Sequence, residues 1–156
     1  MLRMRALDRC DIYWCDISPF LLGLAVRRGV PASKLAVSDA TRLPYADEAF
    51  DFSYSIGSLE HFTEPGIASM LAESQRVTSG WSFHQIPVSR SDTDEGWISF
   101  GQSYFNNSMA WWLSRFRNVF PVVHVLPSRW EDALSIGKWF ACRAAAERPA
   151  GDASAG

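Results

Sequence analysis

The chain has 156 residues, 47% of them apolar, and carries 15 basic against 17 acidic residues for a net charge of -2. That length and apolar content suit one ordinary globular core and exclude a disordered chain, while the charge balance gives no footprint for a nucleic-acid partner. No apolar run approaches the roughly 18 residues of a membrane helix, and the basic start "MLRMRALDR" lacks the apolar stretch and cleavage site of a secretory signal.

A short apolar run, Ile12 to Cys15, ends at Asp16. Ser18-Pro19 then predicts a helix start, with Ser18 as cap and Pro19 at the first helical position. Leu21, Leu24 and Ala25 make its expected buried stripe, and Gly29 its C-terminal cap. "KLAVSDA" predicts a second short strand, ending at Asp39-Ala40. "TRLPYADEAF" reads as a loop broken by Pro44. Phe52 to Ile56 predicts a third strand.

Thr63 or Glu64 caps the next helix, with Ile67, Met70, Leu71 and Val77 on one side and Gly80 closing it. Trp81 to Val88 predicts a fourth strand, followed by a polar, glycine-containing stretch. Asn107 caps a helix with the stripe Met109, Trp112, Leu113, Phe116 and Phe120; Trp111 lies off that stripe, a candidate lid or interface residue. Val122 to Leu126 and Leu134 to Cys142 close the fold as two strands with a short link, which requires an antiparallel pair. The early alternation of strands and helices predicts an α/β fold with a largely parallel sheet. One domain over residues 1–143 and a small, polar tail over 144–156 are expected.

Cys10, Cys15 and Cys142 form no CxxC pair. If Cys10 to Cys15 is one strand, the two thiols point to opposite faces and share neither a disulfide nor a metal. The three histidines show no ligand spacing. No metal is expected, and the free thiols fit a reducing cytoplasm.

In open α/β sheets, ligands sit outside the carboxyl ends of the strands. Asp16 at the first such end can accept both hydroxyls of a ribose; it equally suits the approach to the Ser18 cap. Asp39 can accept from an exocyclic amine, with Ala40 leaving room for a ring. Ser55 to Ser58 are small enough to admit a ligand against the backbone. Glu60 and His61 follow at once.

"CDIS" at 15–18, "SDATRLPYADEAFD" at 38–51, "SYSIGSLEHF" at 53–62 and "RVTSG" at 76–80 together resemble class I S-adenosylmethionine-dependent methyltransferases, in the small-molecule branch called methyltransferase type 11. The resemblance spans about Asp11 to Arg143. It implies a Rossmann-like sheet of strand order 3-2-1-4-5-7-6 with S-adenosylmethionine as cofactor. It implies that Asp16 holds the ribose hydroxyls with Ile17 against the adenine. Asp39 would accept from the adenine amine beside Ala40, and Ser55 and Ile56 would lie near the methionine part. His61 would face the methyl acceptor.

The sequence departs from that pattern in one place. The family's first strand and its E/D-x-G-x-G loop are absent, and "MLRMRALDRCDIYWC" matches the end of the following helix and then strand two. An N-terminally shortened chain is expected, with unpaired edges on the two strands that flank the gap, marginal stability and weak or no cofactor binding.

On the acceptor side, an imidazole titrates near neutrality, so His61 is a candidate general base for an oxygen acceptor; it equally caps a turn. Glu60 is a candidate for orienting the acceptor. His84 and Gln85 sit late in the fourth strand and alternate faces, so at most one meets a given pocket wall. Arg90 is a candidate partner for a carboxylate or phosphate. The leading reading is methyl transfer to a small-molecule or saccharide oxygen. A nicotinamide-dependent oxidoreductase and a non-catalytic methyltransferase-like protein, paired with itself or another chain through exposed strand edges, are the alternatives.

Overall fold

The computed structural model describes residues 10–100 and 102–144. The chain folds as two compact units, Met1–Pro44 and Tyr45–Gly156. The readings of the N-terminal helix remnant and of most of the tail fall outside the described residues. Ala144, expected in the tail, is buried and its N–H donates to the Gly80 carbonyl at 2.9 Å.

The first unit is a strand-helix-strand piece. β1 (Trp14–Asp16) pairs in parallel with β2 (Leu35–Val37), Asp16 standing opposite Val37. Between them runs α1 (Pro19–Arg27), followed by a short 3-10 turn, Ala32–Lys34. The Ser18 hydroxyl accepts from the Leu21 N–H at 3.3 Å, and Pro19 opens the helix, as its fixed φ favours. Gly29 takes a φ of 93°, which lets the Val30 N–H reach back to the Ala25 carbonyl at 3.1 Å. The expected stripe is only partly buried: Leu24 and Ala25 are half-buried, Leu21 is half exposed, and Leu22 is the buried residue of α1.

The second unit carries β3 (Phe50–Ile56), α2 (Glu64–Arg76), β4 (Thr78–Ser89), β5 (Trp97–Phe100), β6 (Gln102–Phe105), α3 (Met109–Arg117), β7 (Val122–Glu131) and β8 (Ser135–Arg143). Its main sheet has the order β3-β4-β8-β7. That is the 4-5-7-6 stretch of the expected order, and β1 with β2 supplies the 2-3 stretch. β3 and β4 are parallel, whereas β4–β8 and β7–β8 are antiparallel. The architecture is therefore α/β with a mixed sheet, not a largely parallel one. The closing antiparallel pair stands where expected. Among the described residues β3 pairs only with β4, and β1 only with β2, so each keeps one unpaired edge.

Both helices of this unit cover one sheet face. Ile67, Met70, Leu71 and Val77 of the α2 stripe are buried, as are Trp112, Phe116 and Phe120 from the α3 stripe and the residues that follow it. Phe116 stacks on Phe140 of β8 with centroids 4.4 Å apart. Each such side chain removed from water is worth about 1.5–3 kcal/mol. The parallel register puts Ser53 beside Ser82 and Ser55 beside His84 on this covered face. Phe52, Tyr54 and Ile56 consequently point the other way and are more than half exposed. The apolar run of β3 is thus not the buried strand that its composition suggests; its small polar residues face the helices.

Three local readings are corrected. Gly80 does not close α2. The helix ends at Arg76, and the β-branched Val77-Thr78 turns directly into β4. There a Cβ on Gly80 would collide with the Asp51 carbonyl of β3, so glycine permits the close strand pairing. Thr63 caps α2, accepting from the Gly66 N–H at 3.3 Å, and Ser108 rather than Asn107 caps α3. The stretch read as an irregular loop contains the antiparallel pair β5–β6.

Candidate functional site

β3 ends at Ile56, and Gly57 follows with a φ of 61°, a conformation that strains any residue bearing a Cβ. Its N–H still donates to the Gln85 carbonyl of β4 at 3.0 Å. The chain then tightens into a 3-10 turn, Leu59–His61, whose Leu59 is fully buried and anchors it. The turn drives Glu60 inward as well, to 5% exposure. A Cβ at Gly57 would stand 3.5 Å from Glu60 Oε1, an ordinary contact, so it is the positive φ and not crowding that calls for glycine here.

His61 is held from the hairpin. Its Nδ1 lies 2.7 Å from the Ser103 carbonyl of β6. A carbonyl only accepts, so Nδ1 carries the proton and Nε2 keeps its lone pair; this tautomer is assigned from the partner. Nε2 stands 3.9 Å from Glu60 Oε1. The Tyr104 ring meets the imidazole edge-on, with centroids 6.3 Å apart.

Burial pushes the Glu60 carboxyl above the usual range, against the smaller opposing effects of a backbone hydrogen bond and of His61. Its Oε2 is buried and has no hydrogen-bond partner among the described residues. Both residues line an open cavity of about 640 Å³, together with Pro87, Tyr104, Trp130 and the segment Asp132 to Leu134. A smaller cavity of about 210 Å³ runs from the same pair along Ile56, Gly57, Gln85 and Pro87. Both open at the carboxyl end of β3 and beside the late residues of β4, where ligands gather in α/β folds.

The predicted residues separate into three groups. Asp16 and Asp39 follow neighbouring strands, and the Ser38 N–H donates to the Asp16 carbonyl at 3.0 Å. Asp16 Oδ1 accepts from the Ser18 N–H at 2.7 Å. Asp39 Oδ1 accepts from both the N–H and the hydroxyl of Thr41 at 2.8 Å, which holds its carboxyl below the usual range. Ile17 beside them is 71% exposed, and Ala40 is half-buried. Glu60, His61, Ile56 and Gln85 come together around the two cavities.

Ser55, His84 and Arg90 do not join them. Ser55 Oγ lies 2.8 Å from His84 Nδ1, beneath the helices. His84 Nε2 lies 2.8 Å from Ser82 Oγ, and the ring packs against Phe116 and Phe120. Burial pushes that imidazole down to about 3, so it is neutral. Arg90 donates to Glu131 at 2.9 Å and to the Asp132 carbonyl at 2.8 Å. Tyr104, Trp130 and Asp132 are the lining residues that the sequence reading missed. Tyr104 sits in the overlooked hairpin, where the β-prone aromatic and branched residues Trp97, Ile98, Phe100, Tyr104 and Phe105 around Gly101 were the available signal. Among the described residues no group of three or more His, Cys, Asp or Glu is placed to hold a metal, and no helix is long and apolar enough to cross a membrane.

A family model described as "Methyltransferase domain" matches residues 1–80, more than half of the chain. The chain belongs to that family. The resemblance to class I S-adenosylmethionine-dependent methyltransferases, read from the motifs, is thereby confirmed. No curated protein sequence matches. A methyltransferase structure from Methanosarcina mazei, described as S-adenosylmethionine-dependent, is similar at 13% identity and a TM-score of 0.67, over 85% of this chain and 81% of that one. A methyltransferase from Haloferax volcanii, solved in complex with the Trm112 activator, is similar at 16% identity and 0.65, over 90% and 76%. A 1,6-didemethyltoxoflavin-N1-methyltransferase from Burkholderia thailandensis, solved with S-adenosylhomocysteine, is similar at 17% and 0.55, over 83% and 59%. At these identities the structures show a shared Rossmann-like fold.

Proposed function

We propose that this methyltransferase-family chain transfers a methyl group from S-adenosylmethionine to a small molecule seated in the Glu60–His61 cavity, with His61 as general base. The observation that carries this reading is the imidazole itself. Its Nδ1 is fixed by the Ser103 carbonyl, which leaves the Nε2 lone pair free to take a proton beside a cavity at the strand ends. Such a base serves a hydroxyl or an ammonium acceptor, because either must shed a proton to become a strong nucleophile.

S-adenosylmethionine supplies a methyl group on a sulfonium. The acids of the first unit fit its adenosine part. Asp16 and Asp39 follow adjacent parallel strands, and each has one carboxylate oxygen engaged by backbone while its second can accept from a ribose hydroxyl or an adenine amine. Ile17, largely exposed, supplies an apolar contact for the base. Ile56 lies at the carboxyl end of β3 and lines the smaller cavity. Ser55 fits less well, since its hydroxyl is engaged by His84.

A second reading, a subunit that acts within a pair of chains, is favoured by one observation. β3 has a free edge among the described residues and presents Phe52, Tyr54 and Ile56 exposed beside it. Calorimetry with S-adenosylhomocysteine separates the two. Binding that weakens at least about tenfold in Asp39→Ala supports the enzyme, since a lost hydrogen bond to a charged group costs about 1.5–3 kcal/mol. Silence overturns it for the isolated chain. Where binding holds, His61→Ala lowers turnover by about 10²–10⁴, and unchanged turnover removes the histidine as base.

A further inference from the structure

We propose that the larger cavity takes a protonated amine carried on a flat apolar body, with Glu60 Oε2 accepting from the ammonium. That this amine is the methyl acceptor rests on the methyltransferase reading; that it binds does not.

Glu60 Oε2 is the starting point. It is buried and has no partner among the described residues, and its residue lines the cavity. A buried acceptor left unsatisfied is costly, and native folds leave few of them. A donor from a ligand in the cavity is what this oxygen lacks. The chemistry of the lining specifies which donor. Among the described residues two acidic residues, Glu60 and Asp132, line the space, with Asp132 Oδ1 accepting from the Leu134 and Ser135 N–H groups, and neither lysine nor arginine lines it. Arg90, the basic group beside Asp132, is engaged by Glu131 and the Asp132 carbonyl. An anionic ligand would meet two like charges and no counter-charge. A neutral hydroxyl would satisfy the hydrogen bond but leave the buried charge uncompensated. An ammonium does both, and charge-assisted bonds are about twice as strong as neutral ones.

The remaining walls select the body of the ligand. Tyr104 and Trp130 are aromatic lining residues, and Pro87 and Leu134 are apolar ones. Aromatic walls favour both a flat apolar group and a cation close to a ring face. Burial alone holds the Glu60 carboxyl toward its neutral form; a bound ammonium is the partner that would restore the carboxylate. The proton account closes on this chain's own residues. Glu60 holds the ammonium, and His61 Nε2 accepts one of its protons. The imidazole becomes imidazolium and the ammonium becomes a neutral amine with a lone pair. The imidazolium then loses its proton to solvent.

The test uses the full chain and three ligands of one shape, phenethylamine, phenethyl alcohol and phenylacetate, titrated calorimetrically at neutral pH. Phenethylamine is expected to bind at least about tenfold tighter than the alcohol, and phenylacetate the weakest. Glu60→Gln should bring amine and alcohol to within about twofold of each other while leaving the alcohol's affinity unchanged, which also shows that the variant's cavity is intact. The proposal is overturned if the alcohol or the acid binds as well as the amine, if none of the three binds, or if the glutamine variant keeps the preference. S-adenosylhomocysteine is titrated into the same protein. Its binding without the amine's sinks this proposal alone; the amine's binding without it sinks the methyltransferase reading alone.

Discussion

His84 and Glu60 are both buried ionisable groups of the second unit, at 1% and 5% exposure, yet they have opposite surroundings. His84 lies beneath α2 and α3 with each ring nitrogen against a serine hydroxyl. Ser53 and Thr78 continue that chain of hydroxyls, with Ser53 Oγ 2.7 Å from Ser82 Oγ and 2.8 Å from Thr78 Oγ1. Glu60 lies at the end of β3 with one oxygen unmet and a cavity beside it. The first is a satisfied core network, which specifies packing. The second keeps hydrogen-bonding capacity unused in a residue that lines a cavity. Burial is common to both, so it is the unmet valence beside open space that separates a site from a core polar group.

Breaking the satisfied member gives the largest expected effect. His84→Leu leaves the Ser55 and Ser82 hydroxyls without the imidazole and should cost about 3 kcal/mol at pH 7 in urea unfolding. The same residue sets an acid slope. Burial depresses the folded imidazole to about 3, while the unfolded one titrates near the ordinary value of about 6.5. The unfolded chain therefore takes the proton first. Stability falls as pH drops from about 6.5 towards about 3, by up to about 1.4 kcal/mol per pH unit. His84→Leu should lack this contribution. Equal slopes in the two proteins between pH 7 and 4.5 would show that burial of His84 is not the cause.

Much of this contrast was legible beforehand, but not the roles within it. The strand-end acids, the Glu60–His61 pair and the helix stripes follow from local pattern, since caps, periodicity and a strand's last residue depend on near neighbours. Which of Ser55, His84 and Gln85 faces a ligand depends on register. Pairing Ser55 with His84 sends both beneath the helices and turns Gln85 to the other face. That register is set across 29 residues of chain and leaves no local mark. The parallel character was over-read for a similar reason. β4 looks like the middle of a parallel sheet until β8 returns against it from more than 40 residues away. Tyr104 was missed because its hairpin follows a run of serines and aspartates, whose turn propensity outweighs the β-prone residues after it.

A smaller effect tests the unsatisfied member. Glu60→Gln keeps the shape and removes the buried charge. Because burial raises the folded carboxyl above its unfolded value, the wild-type chain gains most from Glu60 below the unfolded range near 4.3, and loses that gain as pH rises through the folded value. The variant should therefore be the more stable protein at pH 7, by about 1 kcal/mol, and the gap should close towards pH 4. Thermal unfolding at the two pH values reads it directly. A variant less stable at pH 7 would mean that the carboxylate has a partner and is no longer the counterpart of His84.

The smallest effect is expected at Arg90, and it bears on what makes the cavity acidic. Its guanidinium meets Glu131 and the Asp132 carbonyl, but the arginine and Glu131 side chains are 44% and 63% exposed. An exposed pair of this kind contributes about 0–1 kcal/mol and is screened beyond about 8 Å at physiological salt. Arg90→Ala should change the free energy of urea unfolding by less than about 1 kcal/mol and phenethylamine affinity by less than about twofold. A marked gain in amine affinity would show that Arg90 had been offsetting Glu60 and Asp132 across the turn. The charge of the site would then be shared with the β7–β8 connection, rather than fixed by the carboxylate that the 3-10 turn buries.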